Sequence, residues 1–164
     1  MASDPVDEIL AQWQKERPDL DASPMGIIGR LARLSKHLGR AVQATFSEFD
    51  LRPGEFDVLA TLRRSGAPYQ LSPTELFNAM MVSSGTMTHR VDRLEEAGLV
   101  ERIPDPSDRR GTLIHLTTKG FDLIETAVEA HIDNMQRLLG ALDGADRKAL
   151  SALLRELLIS LEES

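Results

Sequence analysis

Apolar positions along the chain repeat at helical spacing almost throughout, and give way to β-type patterning once. From residue 4 to 16, Val6, Ile9, Leu10 and Trp13 share one face, with Asp4 placed to cap and Pro5 in the first turn. Arg17-Pro18-Asp19-Leu20-Asp21-Ala22-Ser23-Pro24 breaks that helix. A long helix is predicted over 25–48, where Ile27, Leu31, Leu34, Leu38, Ala41, Val42, Thr45 and Phe46 keep the 3.6-residue period. Arg30, Arg33, Lys36 and Arg40 fall on its outer face. Leu51-Arg52-Pro53-Gly54 separates it from a helix over 54–65 with Phe56, Val58, Leu59 and Leu62 inward. Ser72-Pro73-Thr74-Glu75 combines a cap, a proline at the first helical position and a glutamate three residues after the cap, and starts a short helix over 73–80.

A turn at Met81-Val82-Ser83 leads to a helix over 84–97 that stops at Ala97-Gly98. Two β-leaning runs, residues 99–103 and 112–116, then flank a tip rich in Pro, Asp and Arg. Thr117 or Thr118 caps a helix to about residue 140. Leu142-Asp143-Gly144-Ala145 ends it, and a last helix over 145–162 carries Leu150, Leu153, Leu154, Leu157, Leu158 and Leu161. The expected fold is mainly α with a small β-hairpin wing. Its core is a winged helix-turn-helix, framed by long N- and C-terminal helices. The expected division is an extra N-terminal helix and linker at 1–24, a region of long helices at 25–50 and 117–164, and the short helices and hairpin at 51–116, all in one compact domain.

Composition narrows the function. The chain of 164 residues is long enough for one real core, and 27% of it is charged. It has no cysteine, so a disulfide framework, a thiol nucleophile and a Cys-based metal site are excluded. No window approaches 18 uninterrupted apolar residues, and the acidic N-terminus lacks a signal core; no membrane partner and a cytoplasmic location are expected. The net charge of −7 weighs against nucleic acid until it is localised. Residues 1–23 hold six acids against two bases and so supply −4 of it. Residues 83–110 hold five bases and six acids, so Glu95, Glu96 and Glu101 have to face away from any DNA.

Two short helices joined by a tight turn and followed by a two-stranded hairpin describe a winged helix-turn-helix. On the second helix, Met87, Val91 and Leu94 form the packed stripe, and the opposite face presents His89, Asp92 and Arg93 with Thr86 and Thr88 on its flanks. The small polar first turn of Ser83, Ser84 and Thr86 suits close approach to phosphates or bases, and His89 can read base edges. At the hairpin tip, Pro106, Asp108 and Gly111 preset a turn. Asp108 stands two residues before Arg110, close enough to clamp its guanidinium beside Arg109. An arginine oriented at the end of a stiff ribbon suits a narrow minor groove. The rival reading of each feature is an ordinary cap or an exposed ion pair worth under about 1 kcal/mol.

These residues resemble a known family. The run ELFNAMMVSSGTMTHRVDRLEEAGLVERIPDPSDRRGTLIHLTTKG, and the order of elements over about 25–162, closely resemble the MarR family of transcription regulators. The combination GLVERxPDPxDRR with LTxxG is specific to it. The resemblance implies a homodimer built from the first long helix and the last two, and a pseudo-palindromic double-stranded DNA operator as partner. It also implies release by a small, often anionic aromatic effector, with Asp108 and Arg110 as wing residues and Arg110 entering the minor groove. Repressor is the expected role. The leucine stripe of the last helix fits dimerisation, though packing within one subunit would also use it.

The extra N-terminal helix, bearing the only tryptophan, Trp13, resembles the urate-responsive, PecS-like branch of that family. The branch pattern pairs that tryptophan with Asp57 in EFDVLATL, Arg90 in MTHRVDRL and Arg102 in GLVERIP. On the helical wheel Arg90 sits on the shoulder of the apolar stripe, and a half-buried guanidinium needs a partner. Arg102 shares a strand face with Val100, which points it inward. Two inward arginines beside Asp57 would let an anion compete with the carboxylate, and Trp13 would close the site by stacking. By periodicity alone Asp57 reads as solvated. Urate is therefore the expected effector, with a phenolic or other aromatic carboxylate as the alternative.

His37, His89, His115 and His131 show no metal spacing, and no GxSxG, GxGxxG or P-loop occurs, so neither an enzyme nor a cofactor is expected. A winged helix that binds another protein through its acidic surface is the remaining alternative.

Overall fold

A computed structural model of the chain describes residues 3–80, 87–108 and 110–163. It divides into two compact units, Met1–Ala41 and Val42–Ser164. Among the described residues no helix is long and apolar enough to cross a membrane.

The first unit holds α1 (Pro5–Glu16) and most of α2 (Ser23–Ser47). Asp4 caps α1: its Oδ1 accepts from the backbone N–H of Val6 at 2.7 Å and of Asp7 at 3.1 Å. Asp7 reciprocates by accepting from the Asp4 N–H at 2.8 Å. The same two carboxylates take Arg30 of α2, whose Nε lies 2.7 Å from Asp4 and whose Nη2 lies 2.5 Å from Asp7. Arg30 holds the Asp4 carboxyl below the usual carboxylate range, against the opposing effect of its partial desolvation. Arg30 is thus a half-buried anchor, not the solvated outer-face residue its sequence position suggests. Small residues let the helices approach: a Cβ on Gly26 would stand 3.1 Å from Leu10 Cδ1, and one on Gly29 3.5 Å from Val6 Cγ1. Val6 is buried, whereas Ile9, Trp13, Ile27 and Ile28 are exposed.

The second unit is the folded core. It contains α3 (Pro53–Arg64), β1 (Gln70–Leu71), α4 (Pro73–Ala79), α5 (Met87–Glu96), β2 (Val100–Pro104), β3 (Thr112–Leu116), α6 (Thr118–Leu138) and α7 (Gly144–Glu162). The expected hairpin is the larger part of a three-stranded antiparallel sheet, order β1-β3-β2. The third strand is two residues long, too short for alternation to show along the sequence. Leu59, Leu62, Leu76, Leu94, Ile114 and Ile124 are fully buried and tie α3, α4, α5, α6 and the sheet into one core. Each such side chain contributes about 1.5–3 kcal/mol relative to exposure. Phe46 and Phe56 stack at 4.0 Å between ring centroids, with the ring of His131 against both.

The wing is joined to α6 by a tight contact. Thr117 caps α6 by accepting from the Gly120 N–H at 3.0 Å, and its hydroxyl donates to the carbonyls of Gly98 and Leu99. A Cβ on Gly120 would lie 2.0 Å from the Leu99 carbonyl oxygen, so only glycine lets α6 come this close. This gives the LTxxG motif its physical content: the threonine and the glycine seat the helix on the base of the wing. Gly98, at φ +70, ends α5 in the left-handed region, and the Leu99 N–H closes back on the Leu94 carbonyl at 2.9 Å. By contrast, α7 has no buried residue; Leu153, Leu158 and Leu161 are 64%, 51% and 67% exposed.

Candidate nucleic-acid interface

Helices α4 and α5 are positioned by their buried sides. Leu76 of α4 and Val91 and Leu94 of α5 enter the core, as the apolar stripe predicts. Ser72 starts α4, its hydroxyl accepting from the Glu75 N–H at 3.2 Å while Glu75 takes the Ser72 N–H at 2.9 Å. Arg64 closes the other end by donating to the Ala79 carbonyl. With its inner face packed, α5 exposes Thr88, His89 and Arg93, while Arg90 is half-buried on the shoulder. Ser83, Ser84, Thr86 and the turn from Met81 to Ser83 lie outside the described residues, as does Arg109.

The wing tip is built from short-range hydrogen bonds. Asp105 Oδ1 accepts from the N–H and hydroxyl of Ser107 at 2.8 and 2.7 Å, and these bonds hold its carboxyl below the ordinary range. The Asp105 N–H donates to the Gly111 carbonyl at 3.0 Å, and the Gly111 N–H to the Asp108 carbonyl at 2.8 Å. Asp108 does not clamp the Arg110 guanidinium. Its Oδ1 accepts from the Arg110 backbone N–H at 2.9 Å, because the tight turn brings the main chain, not the long side chain, within reach. The bond fixes the Arg110 backbone, and its side chain is exposed.

Two arginines, one on α5 and one on β2, find different partners. Arg93 donates from Nε to Glu55 Oε1 at 2.6 Å; the Glu55 side chain is 4% exposed. Arg102 of β2 meets Asp92 at 2.5 Å and also Glu95, both on α5. These carboxylates stabilise its charged form. Arg102 is therefore an exposed residue of the wing base turned onto α5, and the inward orientation expected from strand alternation is not observed. The alternation rule failed because a long side chain can fold back along the sheet towards paired charges.

Asp57 is half-buried, although periodicity reads it as solvated. Burial raises its carboxyl above the ordinary range, and the nearby positive charge of Arg90, His131 and Arg64 opposes that only in part. The Arg90 guanidinium lies on the start of α3, where a Cβ on Gly54 would stand 2.3 Å from it. Arg52, Gly54, Glu55, His89, Arg90 and Arg93 together line a cleft of about 400 Å³. Of the four residues expected to hold an effector, Asp57 and Arg90 are neighbours, while Arg102 is engaged by Asp92 and Glu95. Trp13 belongs to the first unit and is 40% exposed. No sequence motif singles out Glu55, because its partner Arg93 lies 38 residues away.

Residues 51–112 match the MarR family. The HTH-type transcriptional regulator PecS of Dickeya dadantii is 47% identical over 149 residues, 91% of this chain and 90% of that protein. The chain belongs to the MarR family. MarR of Escherichia coli, the multiple antibiotic resistance protein, is 34% identical over 60% of this chain and 67% of its own length. A mutant of that protein complexed with operator DNA is similar in structure, with a TM-score of 0.70 and 29% identity over 95% of this chain and 99% of the other. BpsR of Bordetella bronchiseptica, whose DNA binding is regulated by 6-hydroxynicotinic acid, gives a TM-score of 0.69 and 29% identity over 79% of this chain and 90% of its own. This MarR-family chain is thus a transcription regulator of the winged-helix class and not an enzyme, and its similarity to PecS supports placement on the PecS-like side.

Proposed function

We propose that the protein is a cytoplasmic, ligand-responsive repressor that binds a pseudo-palindromic operator as a homodimer and is released by a flat anionic heterocycle, urate. The observation that carries the DNA half is the exposed side of α5, with Thr88, His89 and Arg93, next in the chain to a wing whose tip exposes Arg110. Residues 51–116 form the reader in this account, 25–50 and 117–164 the dimerisation region, and 1–24 an added helix. The uncovered leucines of α7 are the apolar face that a second copy would bury. Ser83, Ser84, Thr86, Asp108 and Arg109 complete the DNA-contacting set.

The effector half rests on the PecS likeness, on the nearness of Asp57 to Arg90, and on Trp13. A carboxylate whose charged form is disfavoured by burial is a weak competitor for a neighbouring arginine, which an incoming anion can then recruit. A ligand that engages Arg90 acts directly on the recognition helix, and it shifts DNA affinity by as much as it distinguishes the two states. Arg102 joins such a site only by leaving Asp92 and Glu95, and this exchange is part of the proposed switch. The 6-hydroxynicotinic acid that regulates BpsR is, like urate, flat and anionic, but its carboxylate is the chemistry of the competing effector. A phenolic or other aromatic carboxylate is the competing effector.

The experiment is binding to the protein's own upstream DNA at low salt, with and without urate, Trp13 fluorescence being read in parallel. The expected result is a shifted complex that urate weakens while quenching or shifting the tryptophan. A complex that forms but ignores millimolar urate and responds to salicylate would replace the ligand. Absence of any complex at low salt, where electrostatic binding is strongest, would end the DNA reading.

A further inference from the structure

The cleft at the start of α3 carries more than an effector arginine. Arg52, His89, Arg90 and Arg93 line it, and the single acid among them, Glu55, is buried and fully used. Glu55 Oε2 accepts from the Arg52 N–H at 2.9 Å, closing the first turn of α3, while Oε1 takes Arg93 Nε at 2.6 Å. A buried carboxylate costs stability unless its partners compensate it, and stability alone would be served as well by an apolar side chain. What it does here is fix one guanidinium by one edge. Arg93 is 47% exposed, and among the described residues only its Nε is engaged. Its two terminal amino groups are left for an acceptor outside, in the fork geometry that suits an oxyanion. Arg52 and His89 are exposed beside it.

We infer that this cleft seats a backbone phosphate of the bound DNA, and that Glu55 is the positioning residue that aims Arg93 at it. Thr88, His89 and Arg93 are exposed on the same helix, so a phosphate in the cleft fixes the register in which α5 meets the bases. The inference rests on the DNA-binding reading above.

The test compares full-length wild type, Arg93→Met, Glu55→Gln and the double variant for affinity to the protein's own upstream DNA as a function of salt. Arg93→Met is expected to weaken binding roughly tenfold near physiological salt and to flatten the salt slope by about 0.9, one phosphate contact. Glu55→Gln retains an acceptor for the Arg52 N–H but no longer holds Arg93. Deleting a negative charge would by itself strengthen DNA binding and steepen the slope. Weaker binding with a flatter slope, and a double variant no worse than Arg93→Met, is therefore the expected signature. Should Glu55→Gln not fold, Glu55→Asp, which keeps the charge but withdraws it from Arg93, is expected to flatten the slope in the same way.

A wild-type slope in the variants overturns the inference, and a lowered melting temperature with that slope intact assigns Glu55 a purely structural role. If Arg93→Met keeps the slope but loses the response to urate, the cleft belongs to the effector and the phosphate seat is wrong. Failure of wild type itself to bind DNA removes both the seat and the reading beneath it.

Discussion

The wing and the cleft at the start of α3 both hold arginines, and they do so by opposite means. At the wing tip, Asp108 fixes Arg110 through a backbone hydrogen bond two residues away, and Asp105 fixes Ser107 in the same manner. In the cleft, Arg93 depends on Glu55, 38 residues away, and Arg90 rests on the main chain at Gly54. The wing is therefore a local device that needs only its own loop and a seat. The cleft exists only when α3 and α5 are docked. A signal that moves α5 relative to α3 would dismantle the cleft and leave the tip as it is, which is how one helix can carry both reading and release.

Two glycines separate the regions most sharply. A Cβ at Gly120 would meet the Leu99 carbonyl at 2.0 Å, while one at Gly54 would meet the Arg90 guanidinium at 2.3 Å. The distances are similar, but the first obstacle is backbone and the second is the end of a flexible side chain. Gly120→Ala is expected to cost about 3 kcal/mol, at the upper end for overpacking, and to lower the melting temperature by roughly 6–12 °C. Gly54→Ala is expected to cost under about 1 kcal/mol and to act on the effector response by displacing Arg90. Thermal unfolding of the two variants checks this, and equal losses would mean that Arg90 is as rigid as main chain.

The next effect belongs to the tip alone. Arg110→Ala is expected to weaken operator binding by about 1–3 kcal/mol, roughly five- to 150-fold, with an unchanged melting temperature and an unchanged urate response of the residual complex. Fluorescence anisotropy with labelled DNA measures it. An effect below about threefold would make the wing a spectator, and would shift the burden of DNA binding to α5 and the cleft.

The same contrast explains what could be read from the chain. Capping residues, helix periods and the turn at 105–111 are local, so Asp4, Ser72, Thr117 and Gly98 appear in the structure in the roles their positions suggest. The side chains of the cleft answer to partners brought together only by the fold. Strand alternation turned Arg102 inward, yet Asp92 and Glu95 draw it onto α5. Helical periodicity left Asp57 in solvent, yet it is half-buried beside Arg90 and His131. Nothing along the sequence marked Glu55 as the buried partner of Arg93, since a glutamate in a first turn has a sufficient local explanation in the backbone it caps.

The smallest effect tests whether Asp57 is held at a cost, as a displaceable partner should be. Its carboxyl is raised above the ordinary range mainly by burial, with Arg90, His131 and Arg64 opposing. A raised carboxylate binds its proton more tightly in the folded than in the unfolded state, so its ionisation weakens the fold as pH rises. The penalty is absent below the unfolded-state value of about 3.9, grows as pH climbs to the raised folded value, and is complete at neutral pH. Asp57→Asn removes the charge and keeps the shape. It is expected to raise the melting temperature at pH 7.5 by less than about 4 °C, the shift that 1 kcal/mol produces in a chain of this size. That advantage should shrink steadily as pH is lowered towards 4. A variant less stable than wild type at pH 7.5 would mean that Asp57 is firmly paired with Arg90, and a firmly paired carboxylate is a poor candidate for displacement by urate.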